Sequence, residues 1–156
     1  MLPAWSLAQG SDAPLKLIVP FSPGTGIDLV ARQLGPKLSQ KLNRPVVVEN
    51  RAGAGGNVGM EVVAQSAPDG HTLLMAINTL TMTPAVYKNM PYDAATDFAP
   101  VLKMAEAGYA LAVHPGVPAK DVATLVALTK SKPSSLYYGS PGNGTPHHLA
   151  MELLKL

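Results

Sequence analysis

Apolar residues along this chain alternate between short solid runs and sparse stripes, in an order that repeats. Leu15, Leu17, Ile18 and Val19 form a run broken by Lys16 and stopped by Pro20. The stripe that follows, Ile27, Val30, Ala31, Leu34, Leu38 and Leu42, has the spacing of one helix face, with Arg32, Lys37, Gln40 and Lys41 opposite. Pro36 falls inside that stripe, so the helix is expected to kink or loosen at Leu34-Gly35. A second run covers Val46 to Glu49, a shorter stripe covers Val58 to Gln65, and a third run follows the turn at Pro68-Asp69-Gly70, over 72–77. Run, stripe, run, stripe, run predicts β-α-β-α-β, with three parallel strands joined by crossover helices.

Beyond Asn78 the period weakens, and one helical turn is expected near Pro84 to Tyr87. Two strands are expected over 101–107 and 109–115, around a bend at Ala107-Gly108, and a third over 134–140. Between them, Asp121 is placed to cap a helix that buries Val122, Leu125, Val126 and Thr129. A last helix is expected to start with Thr145 as cap and Pro146 in its first turn. The change of texture near 100–108 sets the expected boundary between a first lobe, 13–103, and the start of a second, 104–156. Residues 1–12, with Ser6-Leu7-Ala8 resembling a small-x-small cleavage site, are read as the remnant of a signal peptide or as a disordered N-terminus. The chain stops at Leu156 inside a stripe of Leu149, Leu153 and Leu156, so the second lobe is expected to be incomplete.

Composition narrows the class. With 47% hydrophobic and 14% charged residues among 156, the chain can bury a core and is not a disordered polymer. A formal charge of +2, with no basic stripe, gives no footprint for nucleic acid. The absence of cysteine excludes disulfides and thiolate chemistry. No segment approaches the length of a membrane span.

Three glycine-rich loops each leave a strand and open a helix: FSPGTGID at 21–28, NRAGAGGN at 50–57 and GSPGNGTP at 139–146. Glycine allows close approach and positive φ, and a helix start offers free N–H donors and the positive end of a dipole. That chemistry suits a carboxylate or a phosphate. A nucleotide site fits less well: GTGIDL has Leu29 where a third glycine belongs, and no G-K-[ST] occurs. His148 and Glu152, four apart, could form half a metal site, but no third ligand has recognisable spacing. Asp28, Glu49 and Asp69 show no obvious partner in the sequence, and no nucleophile motif is present.

Taken in order, LKLIVPFSPGTGIDLVARQL, RPVVVENRAGAGGNVG, APDGHTLL, YKNMPYDAATDFAPV, VHPGVPAKDV and YGSPGNGTPHHLAMELLK resemble the Bug-type receptors of tripartite tricarboxylate transporters. The resemblance runs from about Leu15 to the end and corresponds to the N-terminal half of such a receptor. It implies an α/β fold of the type II periplasmic-binding-protein kind: two α/β lobes with mostly parallel sheets, the ligand between them. It also implies an extracytoplasmic, periplasmic receptor without catalytic activity, cofactor or metal. Such a receptor is a monomer at full length and passes a small carboxylate to membrane transporter subunits. Carried over, the first-lobe ligand residues are Phe21, Pro23, Gly24, Thr25, Gly26 and Asp28, followed by Asn78 and Thr79 after the third strand. The second lobe contributes Ser140, Gly142, Asn143, Gly144, Thr145 and His148. The 50–57 loop is expected to be mainly structural, with Gly55 and Gly56 near the cleft mouth. Thr25 and Ile27 depart from the family's usual glycine and hydroxyl residue, which narrows and dries the first loop. The alternatives are a truncated or degraded paralogue without binding function and a nucleotide-binding α/β enzyme.

Overall fold

The computed structural model describes residues 13–156, so the expected signal-peptide remnant at 1–12 lies outside the described residues. Its centre is a parallel sheet of β1 (Leu15–Val19), β2 (Val46–Asn50) and β3 (Thr72–Leu74), in the order β2-β1-β3. Leu15 faces Val46 and Val19 faces Asn50 across one side of β1, while Lys16 faces Thr72 across the other. Helix α1 (Gly26–Leu42) crosses from β1 to β2, and α2 (Asn57–Ala64) crosses back towards β3. Because right-handed crossovers in opposite directions use opposite faces, the sheet is covered on both sides. Leu15, Leu17, Val19, Ala31 and Met75 are buried together, with Ile27, Leu34, Leu38, Val46, Val48 and Leu73 packed around them. Val30 and Leu42, placed on the buried stripe by spacing, are 37% and 47% exposed, so α1 is seated on Ala31 and its neighbours at 27, 34 and 38.

Two expectations about elements need correcting. Helix α1 runs from Gly26 to Leu42 as one element, with Pro36 inside it. The residue before a proline avoids helical backbone mainly because its Cβ meets the ring, and Gly35 has none. β3 ends at Leu74, three residues short of the expected run, after which Met75 N–H donates to Ile18 O. Its partner β1 ends at Val19, before Pro20, so the ladder has nothing further to join.

The later half is helical where it is regular. Helix α3 (Thr79–Met82) leads into a 3-10 turn at Thr83–Ala85, and α4 (Val122–Ser131) and α5 (Pro146–Leu154) follow. Asp121 caps α4 through a reciprocal box with Thr124. Of the face expected to be buried, Leu125 is buried, while Val122 and Thr129 are exposed. The strands expected at 101–107, 109–115 and 134–140 are not formed among the described residues. Their backbone has no neighbouring strand to bond, and Val101, Leu102 and Tyr137 stand 75%, 70% and 91% exposed.

Candidate ligand cleft

Parallel strands bring their C-terminal ends to one edge, and every loop that leaves that edge can reach the same space. Here Val19 and Asn50 are register partners, and Arg51 N–H donates to Val19 O at 2.8 Å, tying the starts of two loops together. Helix α2 presses against this junction through Gly59, where an added Cβ would lie 2.7 Å from Pro20 Cα and 2.9 Å from Arg51 O. The chain after β3 returns over the same edge and brings Tyr87 with it.

The first and third loops are one motif built twice. Thr25 and Thr145 stand at the N-cap positions of α1 and α5, both in extended backbone, and Thr145 alone accepts a cap bond, from His148 N–H. Thr25 Oγ1 donates to Ser22 O at 2.9 Å, and Thr145 Oγ1 donates to Gly142 O at 2.7 Å. The preceding glycines, Gly24 and Gly144, have φ of +84° and +76°, a region open to glycine without a Cβ penalty. Each glycine N–H donates to the side chain four residues on: Gly24 to Asp28 Oδ2 at 2.8 Å, Gly144 to His148 Nδ1 at 3.3 Å. The middle loop is built differently. Gly53, Ala54, Gly55 and Gly56 all have positive φ, and the run leads directly into α2.

Asp28 has partners that its sequence context concealed. It is 1% exposed and also accepts from Arg32 Nε at 3.0 Å and Asn50 Nδ2 at 2.9 Å. Asn50 Nδ2 is shared with Phe21 O at 3.0 Å, so one amide at the end of β2 holds both ends of the first loop. The Arg32 guanidinium, the Gly24 amide and the Asn50 amide together hold the Asp28 carboxyl down at about 2.

Between the loops lies a cleft of about 470 Å³. Its walls are Pro20 to Ser22 with Thr25, residues 52–56, and Pro141 to Asn143, with Tyr87 across one side. Tyr87 Oη donates to Asn143 O at 3.3 Å, and a Cβ on Gly55 would stand 2.5 Å from the same oxygen. The middle and third loops therefore touch, main chain to main chain. Among the described residues, no lysine or arginine lines this space. Polar character here comes from backbone amides, a few hydroxyls, the Asn143 side chain and the N-terminal ends of α1 and α2.

Of the residues singled out by sequence, Phe21, Thr25, Gly142 and Asn143 line the cleft. Pro23, Gly24 and Gly26 shape the first loop behind them, and Asp28 lies beneath it. Ser140 Oγ accepts from Gly142 N–H at 3.4 Å, while Gly144 and Thr145 are buried in the turn. His148 stands behind that turn, its ring stacked on Tyr138. Asn78 is exposed at the start of α3; Thr79 is fully buried, and its hydroxyl has no hydrogen-bond partner among the described residues. The 52–56 loop, read from sequence as mainly structural, forms a wall, and the density of glycine in AGAGG was its signal. Tyr87 opens the YKNMPYDAATDFAPV motif, but nothing in that motif marked its side chain as part of a ligand site. No cluster of three potential metal ligands occurs among the described residues, and no helix there is long and apolar enough to cross a membrane.

Known proteins share this arrangement. A UPF0065 protein of Bordetella pertussis is 43% identical over 143 residues, covering 91% of this chain and 44% of that protein. Protein BugT of the same organism is 35% identical, over 92% of this chain and 44% of BugT. An adipate-bound structure from R. palustris superposes with a TM-score of 0.85 at 35% identity, over 91% of this chain and 48% of that one. The periplasmic binding protein BugD superposes with a TM-score of 0.74 at 28% identity, over 92% and 49%. The chain thus spans a little under half the length of these relatives. The signature described as "Tripartite tricarboxylate transporter family receptor" matches residues 30–156. With that match over most of its length, the chain belongs to the tripartite tricarboxylate transporter receptor family.

Proposed function

We propose that this chain forms the ligand-gripping half of an extracytoplasmic receptor for a small carboxylate, which delivers its ligand to a membrane transporter and catalyses no reaction. The observation that carries the reading is the cleft: three loops at the C-terminal edge of a parallel sheet, with no lysine or arginine among the described residues that line it. Such a wall receives an anion through N–H donors and helix dipoles. Two further observations support it: one similar structure holds adipate, and another is a periplasmic binding protein. The division into lobes at 13–103 and 104–156 is part of the same proposal, as is a monomeric full-length receptor. Asp28 and His148 then serve the ligand by shaping loops, without touching it.

Gly26 gives a clean test. It is the first residue of α1, no atom stands within 4 Å of where its Cβ would be, and Thr25 before it is extended. Proline is well suited to that position, as Pro146 is in α5. Gly26→Pro therefore deletes one N–H donor and leaves the backbone as it is. In a version extended through the second half, calorimetric titration with glutarate, adipate and citrate is expected to show binding. ATP and NAD, titrated alongside, are expected to show none. Gly26→Pro is expected to weaken the carboxylate about ten- to hundred-fold, the worth of one hydrogen bond to a charged acceptor. Preferential nucleotide binding would replace this reading with the enzyme alternative, and no binding by the extended protein would favour a degraded paralogue.

A further inference from the structure

The two copies of the cap motif differ in the acceptor that the glycine N–H meets, beside the cap bond that only Thr145 makes. In both, a positive-φ glycine just before the cap gives its N–H to the side chain at the third position of the helix. In the first lobe that acceptor is a carboxylate, Asp28, fully charged at any working pH. In the third loop it is an imidazole nitrogen, His148 Nδ1. A neutral imidazole accepts at one nitrogen only while the other carries the proton. A protonated one accepts at neither.

We infer that His148 is a positioning residue that fixes the Gly142-Asn143 wall of the cleft through the Gly144 N–H, and that protonation of its Nδ1 releases this wall. The inference of an effect on ligand rests on the receptor reading; the effect on the loop does not.

The surroundings say why the bond bears on the wall. Gly144 is buried, and a Cβ there would lie 3.3 Å from the Tyr87 ring and 3.6 Å from Val86. Its amide is thus anchored within a packed turn, and the two residues before it line the cleft beside Gly55. On the far side of the imidazole, Nε2 stands 3.9 Å from Glu152 Oε1. Lys155 Nζ sits 2.7 Å from both Glu152 oxygens and, with the Tyr138 hydroxyl, holds that carboxyl below its ordinary range. An ionised Glu152 favours the proton on Nε2, which leaves Nδ1 bare for Gly144. The ring also stacks on Tyr138, whose hydroxyl donates to Glu152, while the adjacent His147 turns away to meet Tyr109. Tyr87, against Gly144, completes the titratable groups around the turn.

The sign follows. A proton on Nδ1 puts a donor against the Gly144 donor, so acid breaks the tie. Attraction between a charged His148 and Glu152 would work the other way and tighten α5 in acid. The two accounts therefore predict opposite slopes.

Nitrogen-15 NMR of the whole chain separates them without any ligand. In the wild type, the Gly144 amide is expected to shift and to exchange faster as His148 titrates, with the resting imidazole protonated on Nε2, while the Gly24 amide stays constant. His148→Asn puts Oδ1 where Nδ1 stood, so the Gly144 amide is expected to remain protected and to become independent of pH. His148→Ala is expected to expose it at every pH. Glutarate titrations of the extended protein supply the second arm: affinity is expected to fall about three- to ten-fold in acid for the wild type, with the slope flattened by His148→Asn. A wild-type Gly144 amide indifferent to pH, one that still titrates in His148→Asn, or a resting Nδ1–H tautomer would overturn the positioning role. If glutarate fails to bind at any pH, the receptor reading and the ligand effect fall, while the amide measurements still decide the tie.

Discussion

Protonating Asp28 withdraws a charged acceptor from three donors at once: the Gly24 amide, the Arg32 guanidinium and the Asn50 side chain. Its carboxyl is held at about 2, below the ordinary 3.8. A depressed value means that this contribution to stability is complete above the ordinary value and is lost as the pH falls through the lowered one. Asp28→Asn keeps one oxygen acceptor but turns its amide towards donors. It is expected to melt well below the wild type near neutral pH. That gap should close as the pH drops from about 4 to about 2, in thermal denaturation followed by circular dichroism. The glycines of this loop were legible because a positive φ leaves a residue-type signature. The role of Asp28 was not, because Asn50 is distant in sequence and a backbone amide carries no signature at all.

Among the elements, two helices test how main chain meets main chain. Pro36 inside α1 removes one helical donor, so Pro36→Ala is expected to stabilise the protein by about 1–2 kcal/mol. That is the helix-propensity gain less what proline returns by stiffening the unfolded chain. Gly59 in α2 is the opposite case. An added methyl would press on Pro20 Cα and Arg51 O, which are backbone atoms that cannot swing aside. Gly59→Ala is expected to cost about 1–3 kcal/mol, and urea titration of both variants reads the two signs together. Helix positions were legible where caps and stripes are local: Asp121 and Thr145 cap α4 and α5 as their sequences indicate, whereas the turn expected near Pro84 to Tyr87 falls earlier, at Thr79–Met82 and Thr83–Ala85. Strands were legible up to Leu74, where each run has a partner nearby in the sheet. Residues 101–115 carry the same kind of apolar run and form none, because a strand is a property of a pair and not of a segment.

At the scale of the whole molecule, Val101, Leu102, Tyr137 and Leu153 stand more than two-thirds exposed, large apolar side chains that gain nothing from facing water. The 156-residue chain is expected to self-associate in sedimentation velocity as its concentration rises. A version extended through the second half is expected to stay monomeric. The cleft itself has an order of construction. The central strand of the sheet, β1, precedes both of its partners along the chain, and the sheet with its first two loops is complete by Leu74. The last wall arrives only with residues 141–143, which must find Gly55 across an intervening segment with little regular structure. Contacts this far apart in sequence are the slow ones, since the closure entropy is met before the contact rewards it. As the polypeptide emerges from a ribosome or a translocation pore, it therefore presents a two-walled platform first and gains its grip last.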